Sequence, residues 1–141
     1  MGGHALIRVL VVAESARDRG AVRRLVWPEQ DITVAGEAAN SVEALEQVNL
    51  HPFNIAVVKL APAEREALDL VKKLRLDFPE IGVVALEEPD RPDTVAAALR
   101  SGAFRCLASG LTGGQLVSTI RDGARDSVGR HRPLAPEKAV A

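Results

Sequence analysis

Five short apolar runs alternate with five amphipathic segments along the chain, and this alternation limits the folds open to it. The first of these runs is almost wholly apolar and rich in β-branched residues, as a strand buried on both faces of a sheet should be. The predicted positions of the five runs are 6–12, 32–35, 54–58, 81–86 and 105–108. Because strands that alternate with helices are joined by right-handed crossovers, we predict a parallel sheet covered by helices on both faces.

Capping signals mark where several of the helices begin and end. Ser15 can cap a first helix over residues 16–26, and Asn40 with Glu43 forms a capping box for a second helix. Gly102 has the position of a C-terminal glycine at the end of a fourth helix. These signals place complete helices between the apolar runs and support an α/β fold.

Apolar residues at helical spacing predict which side of a helix is buried. The predicted inward positions are, on the second helix, Val42, Leu45 and Val48 and, on the fifth helix, Leu116, Val117 and Ile120. Thr112 is suited to cap the fifth helix. We expect these apolar side chains to form the core between the helices and the sheet.

Length and composition restrict the classes of protein to which the sequence can belong. At 141 residues the chain fits one domain with a sizeable core. Its net charge of −1 produces no overall electrostatic field that would attract nucleic acid. Its aromatic content of 3% leaves few side chains on which bases could stack. The single cysteine excludes an internal disulfide, and we find no secretion signal and no apolar run of about 18 residues. We therefore expect a cytoplasmic protein that does not enter the membrane.

The residues after Arg125 differ in character from those before them. The sequence DSVGRHRPLAPEKAVA is polar, is interrupted by prolines and begins no new apolar period. We interpret residues 1–125 as one domain and residues 126–141 as a linker or flexible tail.

The segments IRVLVVAES, VVKLAP, VVALEE and RCLASG end the first, third, fourth and fifth predicted strands. In this arrangement the chain resembles the response-regulator receiver domains of the CheY-like superfamily, and most of all their NarL/LuxR-type branch. The resemblance spans about residues 6–125. It implies a flavodoxin-like, doubly wound five-stranded parallel sheet of order 2-1-3-4-5 with five helices. The functional site would lie at the carboxyl ends of strands one and three.

The resemblance also implies a chemistry, for which most of the residues are missing. Receivers accept phosphate on an aspartate that ends strand three, and two acids after strand one help that aspartate to hold Mg²⁺. Here Lys59 stands at the aspartate position, which makes it a pseudo-phosphorylation site. Ala13 and Glu14 stand at the acid pair and form a vestigial acidic pocket. An amine cannot form an acyl phosphate, so we expect no phosphorylation at this position.

The positions that would bind the phosphoryl oxygens and couple to output are changed as well. Glu87 replaces the family's Thr/Ser after strand four, while Cys106 and Ser109 replace the tyrosine and lysine of strand five. We therefore expect no enzyme activity, no bound metal and no cofactor. Lys59 is expected either to pair with Glu14 or Glu87 or to be a solvated residue at a strand end.

Two other kinds of residue could carry chemistry. Cys106 could be a redox-sensing thiol, but packing as a small apolar residue is the favoured interpretation. His4, His51 and His131 have no ligand spacing, which argues against a zinc site. The basic residue Arg121 and the arginines after it are interpreted as a solvated helix end and linker.

In receivers the fourth helix, fifth strand and fifth helix form the face for dimerisation and output. The corresponding interaction face here would be formed by Val95, Leu99, Phe104, Leu116 and Ile120. We interpret the chain as an atypical, phosphorylation-independent receiver, a homodimer, and the N-terminal regulatory module of a LuxR/NarL-type transcriptional regulator. A helix-turn-helix output domain would follow this chain, which alone would bind no nucleic acid. The alternatives are a stand-alone protein-interaction adaptor, whose protein partner the sequence does not name, and a small-molecule sensor.

Overall fold

A computed structural model describes residues 6–88, 91–108 and 110–131 of the chain, with side chains described as far as residue 126. Strands and helices alternate through these residues. The strands are β1 (Ile7–Val12), β2 (Ile32–Ala38), β3 (Ile55–Lys59), β4 (Gly82–Glu87) and β5 (Arg105–Ala108). The helices are α1 (Ala16–Val26), α2 (Ser41–Leu50), α3 (Glu64–Asp77), α4 (Pro92–Ser101) and α5 (Gly113–His131).

The five strands form one parallel sheet in the order β2-β1-β3-β4-β5, which confirms the predicted fold class. Helices α2, α3 and α4 cover one face, and α1 and α5 cover the other. Each face has its own cluster of buried apolar side chains. Consecutive residues of β3 belong alternately to the two clusters, for example Val57 and Val58. The central strands therefore hold two hydrophobic layers together, which explains their continuous apolar sequence.

The predicted helix caps are confirmed. The hydroxyl of Ser15 accepts a hydrogen bond from the N–H of Asp18 at 3.0 Å, and the side chain of Asn40 accepts one from Glu43 at 2.9 Å. Thr112 and Gln115 cap α5 reciprocally, each side chain accepting from the other's backbone N–H. These bonds satisfy N–H groups that have no partner inside the helix.

Strand β2 and helix α2 differ from the prediction. The strand continues past Gly36 to Ala38 because the register with β1 shifts and pairing resumes. A Cβ atom at Gly36 would lie 2.6 Å from Oε1 of Gln47 and 2.9 Å from Cζ of the buried Phe53, so a larger residue there would require these side chains to shift. On α2 the predicted inward position of Val42 is wrong: it is 68% exposed, while Ala44 is buried. At about 3.6 residues per turn, Val42 lies on the opposite side of the helix from the buried residues Ala44 and Val48.

Helix α5 runs to His131, six residues beyond the predicted end of the domain at residue 125. At Gly123 it lies against Ile55 and Gly82, the first residues of β3 and β4. Residues 132–141, the rest of the predicted linker, lie outside the described residues. Among the residues described, no helix combines the length and the apolar character needed to cross a membrane.

Candidate functional site

The carboxyl ends of the adjacent strands β1 and β3 bring together the residues predicted to form the site. Ala13 and Glu14 follow β1, and Lys59 is the last residue of β3. All three line a small cavity of about 60 Å³. Ala13 is buried, Glu14 is exposed and Lys59 is half-buried. The juxtaposition predicted from the sequence is therefore present, with a lysine and one carboxylate in place of an acidic triad.

The ion-pair partner predicted for Lys59 is wrong. Its ammonium Nζ lies 3.9 Å from Oε2 of Glu88, and this is its salt bridge within the described part of the chain. Glu88 follows directly after β4 and keeps half of its side chain exposed. The preceding residue, Glu87, turns its side chain into the protein instead. Glu87 is the last residue of β4, whereas Glu88 lies beyond the strand and reaches the rim where Lys59 lies.

Glu87 is one of the most deeply buried side chains of the site, with 1% exposure. Its Oε1 accepts a hydrogen bond from the N–H of Glu88 at 2.7 Å, while Oε2 has no hydrogen-bond partner. Burial of a polar atom without a partner is destabilising. The carboxylate of Glu87 therefore lies inside the protein and does not reach the rim.

Cys106 lies beside Glu87 on the same side of the sheet. It is half-buried and packs against the cluster under α2, α3 and α4, which confirms the interpretation as a packing residue. Burial raises the pKa of the Cys106 thiol, and the negative charge of Glu87 raises it further. The thiol is therefore held in its neutral, unreactive form. Ser109, the other predicted position on this strand, lies outside the described residues.

The last residue of β3 is a lysine, and its positive charge would repel a divalent cation at this end of the strand. In the segments that the structure describes, no group of three or more His, Cys, Asp or Glu side chains is placed to hold a metal ion. The site is an ion-paired rim around a very small cavity.

The predicted interaction face is only partly a surface. Leu116 and Ile120 are fully buried in the core under α5, so their assignment to a partner face is corrected. Their buried positions confirm the inward side predicted for that helix. Val95 and Phe104 are half-buried, and Leu99 is 47% exposed. The accessible apolar surface of this region is therefore carried by α4 and the residue before β5.

Two groups of residues were not predicted from the sequence. Arg121 pairs with Glu29 and with both carboxylate oxygens of Asp31 at 2.7–2.9 Å, so it is not a solvated tail residue. The hydrogen bonds to Asp31, and then to Glu29, raise the pKa of Arg121 above its usual range. This cluster ties α5 to the segment before β2. The partners lie 90 or more positions apart in the chain, and no local pattern indicates them.

The second unpredicted group joins the beginnings of α3 and α4. The carboxylate of Glu64 accepts hydrogen bonds from Arg91 at 2.7 Å and from the hydroxyl of Thr94 at 3.1 Å. Thr94 is buried, although a threonine at this place in a helix has no sequence signal for burial. Three polar side chains next to the site are thus part of one network.

No model of a known protein family matches the chain. Among curated proteins it is 30% identical to a protein-glutamate methylesterase/protein-glutamine glutaminase of Agrobacterium fabrum, over 97% of this chain and 41% of that protein. It is 26% identical to the uncharacterized transcriptional regulatory protein YvfU of Bacillus subtilis, over 94% of this chain and 64% of that protein. The chain therefore spans less than two-thirds of the length of either relative.

Solved structures share the whole fold. The signal receiver domain of NarL from Mycobacterium tuberculosis superposes with a TM-score of 0.79 and 24% identity, covering 86% of this chain and 98% of that one. A CheY-like response regulator receiver domain from Methanospirillum hungatei gives a TM-score of 0.76 and 17% identity, covering 89% and 99%. These likenesses confirm the resemblance that the sequence predicts: the chain has the receiver fold of the CheY-like response regulators.

Proposed function

We propose that this chain is a receiver domain that works without phosphorylation, as the N-terminal regulatory module of a LuxR/NarL-type transcriptional regulator. The observation that carries the proposal is Lys59 at the end of β3, in ion-pair contact with Glu88. The phosphate-accepting carboxylate is absent, and the position is occupied by a side chain that already has an internal partner. Signalling would then depend on protein contacts made by the folded domain.

Three further features support a non-phosphorylated mode of action. Glu87 is buried. An ionised carboxylate, unlike a threonine hydroxyl, has no hydrogen to donate to a phosphoryl group. Ala13 removes one of two acids after β1, so the negative charge needed for Mg²⁺ is reduced. Glu14 retains a carboxylate near the rim, but it faces a positive neighbour across the cavity they share. Each of these changes acts against the same reaction.

Contacts with partners are proposed for the surface around α4 and β5. Leu99 is an exposed apolar residue there, and Arg105 lies over the ring of Phe104 with its guanidinium 4.4 Å from the ring centre. We expect this surface to mediate homodimerisation, with residues after α5 leading to a helix-turn-helix domain.

The proposed division into a receiver of residues 1–125 and a following linker then requires a boundary nearer the end of α5.

The methylesterase relatives favour a second candidate, in which the same domain regulates a different output activity. A stand-alone adaptor, cytoplasmic and without DNA-binding output, is the third. The native reading frame beyond position 141 separates these candidates, because each predicts a different following sequence. For the leading candidate, the longer protein should bind paired DNA half-sites about one helical turn apart or a multiple of that. The chain alone should show no sequence-specific DNA binding at physiological salt.

Exposure to phosphodonors tests the central proposal. The chain should show no mass increase with acetyl phosphate and Mg²⁺, and beryllofluoride should cause no NMR shifts around Glu14, Lys59 and Glu87. The Lys59→Asp variant restores the nucleophile alone and should still fail, because Glu87 and Ala13 remain unchanged. A receiver with a complete acidic site serves as the positive control. Stoichiometric acid-labile phosphate on the wild-type chain would refute the proposal.

A further inference from the structure

Helix α4 has little of its own to hold it against the sheet. It spans Pro92–Ser101, and the side chains that it buries are Thr94 and Ala98. Its N-cap residue, Arg91, makes no side-chain capping hydrogen bond. The neighbouring helix α3 buries two leucines and a valine in addition to an alanine. Because burial of a methyl group stabilises much less than burial of a leucine side chain, α4 needs other contacts to keep its position.

The first turn of α3 supplies these contacts through one carboxylate. Oε1 of Glu64 accepts a hydrogen bond from Nη2 of Arg91 at 2.7 Å, and Oε2 accepts one from Oγ1 of Thr94 at 3.1 Å. Arg91 lies 3.3 Å from the same threonine hydroxyl, so the three side chains form a closed ring. Thr94 is only 4% exposed, so its hydroxyl has little access to water as an alternative partner.

The other end of α4 is fixed to the same neighbouring helix. Gly102 ends α4 in the left-handed conformation with φ of 119°. A Cβ atom at this position would lie 2.6 Å from Cγ and 2.7 Å from Cβ of Arg75 on α3. The backbone of Gly102 therefore packs directly on the stem of Arg75. Both ends of α4 are thus attached to α3.

We propose that the ring formed by Glu64, Arg91 and Thr94, the α3–α4 clamp, holds α4 in a single position. The inference rests on the proposed phosphorylation-independent function. A switch needs a moving element with two positions, which a signal populates differently. The clamp leaves α4 only one position.

Hydrogen exchange measured by mass spectrometry on the whole chain tests the clamp. Glu64→Ala removes the acceptor, and Thr94→Val removes the hydroxyl while keeping the volume. In both variants the amides of α4 should exchange roughly 3- to 30-fold faster than in the wild type. The double variant should exceed the faster single variant only slightly, because both changes open the same ring.

Glu66→Ala is the matched control. It also removes an acid from the first turn of α3, but Glu66 accepts a hydrogen bond from Ser41 on α2 and belongs to no bond of the ring. This variant should leave exchange in α4 at the wild-type rate. Comparison with α5 in the same sample separates local from global loss of stability.

Two results would overturn the inference. The first is that the amides of α4 exchange at the wild-type rate in both Glu64→Ala and Thr94→Val. The second is that exchange in these variants accelerates equally in α4 and α5. The phosphodonor experiment uses the wild-type chain and reads phosphate, whereas the exchange experiment reads the variants. Failure of the clamp can therefore be told apart from failure of the proposed function.

Discussion

Lys59 and Glu88 lie 3.9 Å apart across the ends of β3 and β4, at the site where the receiver fold would place its phosphate-accepting residue. The pair connects the last residue of β3 to the residue that follows the neighbouring strand β4. A lysine in this place neutralises a nearby carboxylate without a metal ion. The pair is partly exposed, with 18% of the lysine and 50% of the glutamate side chain accessible, so its contribution is to arrangement more than to stability.

Lys59→Met should therefore lower the free energy of unfolding by less than about 1 kcal/mol. The methionine keeps most of the side-chain volume and removes the charge. Urea denaturation measures the change, and Lys73→Met is the control because it breaks an exposed pair with Asp77. A loss above about 2 kcal/mol would show that Lys59 has a larger structural role than one exposed ion pair.

Glu87→Met should stabilise the fold by about 1–3 kcal/mol, because it removes a buried carboxylate oxygen that has no partner. The substitution also removes the acceptor of the Glu88 N–H, but this N–H lies near solvent, so a water molecule can accept its hydrogen bond instead. The same substitution at exposed Glu88 should change stability by less than about 1 kcal/mol. A lower midpoint of denaturation for Glu87→Met would mean that the buried carboxylate makes a favourable interaction not visible in the structure.

Cys106 should react slowly with iodoacetamide at neutral pH, since burial and then Glu87 raise the pKa of its thiol. The midpoint of the alkylation rate against pH should lie above that of the unfolded chain. Glu87→Gln should lower this midpoint only in part, because burial is the larger cause. Rates that match those of the unfolded chain would show that the thiol is open to solvent.

The same raised pKa gives a stability that depends on pH. Since the pKa of Cys106 is higher in the folded state, the associated stability is complete below the unfolded value and is lost as pH rises through the folded value. Denaturation curves at alkaline pH should therefore show a decline that Cys106→Ala reduces. An identical decline in that variant would assign the effect to other groups.

Two glycines should respond to alanine with opposite signs. Gly102→Ala should destabilise the chain by more than about 1 kcal/mol, because a φ of 119° and contact with the stem of Arg75 both oppose a side chain. Gly114→Ala should stabilise it by up to about 1 kcal/mol, because the position is helical and the nearest atom, Oγ1 of Thr112, is 4.0 Å away. Thermal denaturation compares the two, and a change of the same sign in both would contradict the geometry.

Much of the fold could be predicted because the signals are local. The apolar sequence of β3 indicates a strand buried on both faces, and Ser15, Asn40 and Thr112 mark helix starts by the hydrogen bonds that their own side chains make. Val42 was misplaced because apolar character alone does not show which side of a helix faces the sheet. The buried Ala44 lies on that side, and a small residue is a weak signal in a sequence.

For the candidate site, the sequence by itself determined the residue types at the ends of the strands and hence the absence of an acid at position 59. The order of the strands then brought Ala13, Glu14 and Lys59 to one edge, as expected of a parallel sheet. Only the tertiary structure decided which carboxylate is paired and which is buried. The two adjacent glutamates have the same chemistry, but Glu87 ends β4 and is buried in the protein, whereas Glu88 lies beyond the strand and pairs with Lys59 at the rim.

The α3–α4 clamp also depends partly on the sequence alone and partly on the tertiary structure. The sequence determines that a carboxylate, a guanidinium and a hydroxyl are available at positions 64, 91 and 94. Their contact depends on how two helices pack on one face of the sheet, and no periodicity within either helix encodes it. Local patterns specify elements because their interactions span three or four residues, whereas pairing across about 30 residues is specified only when the whole core has formed.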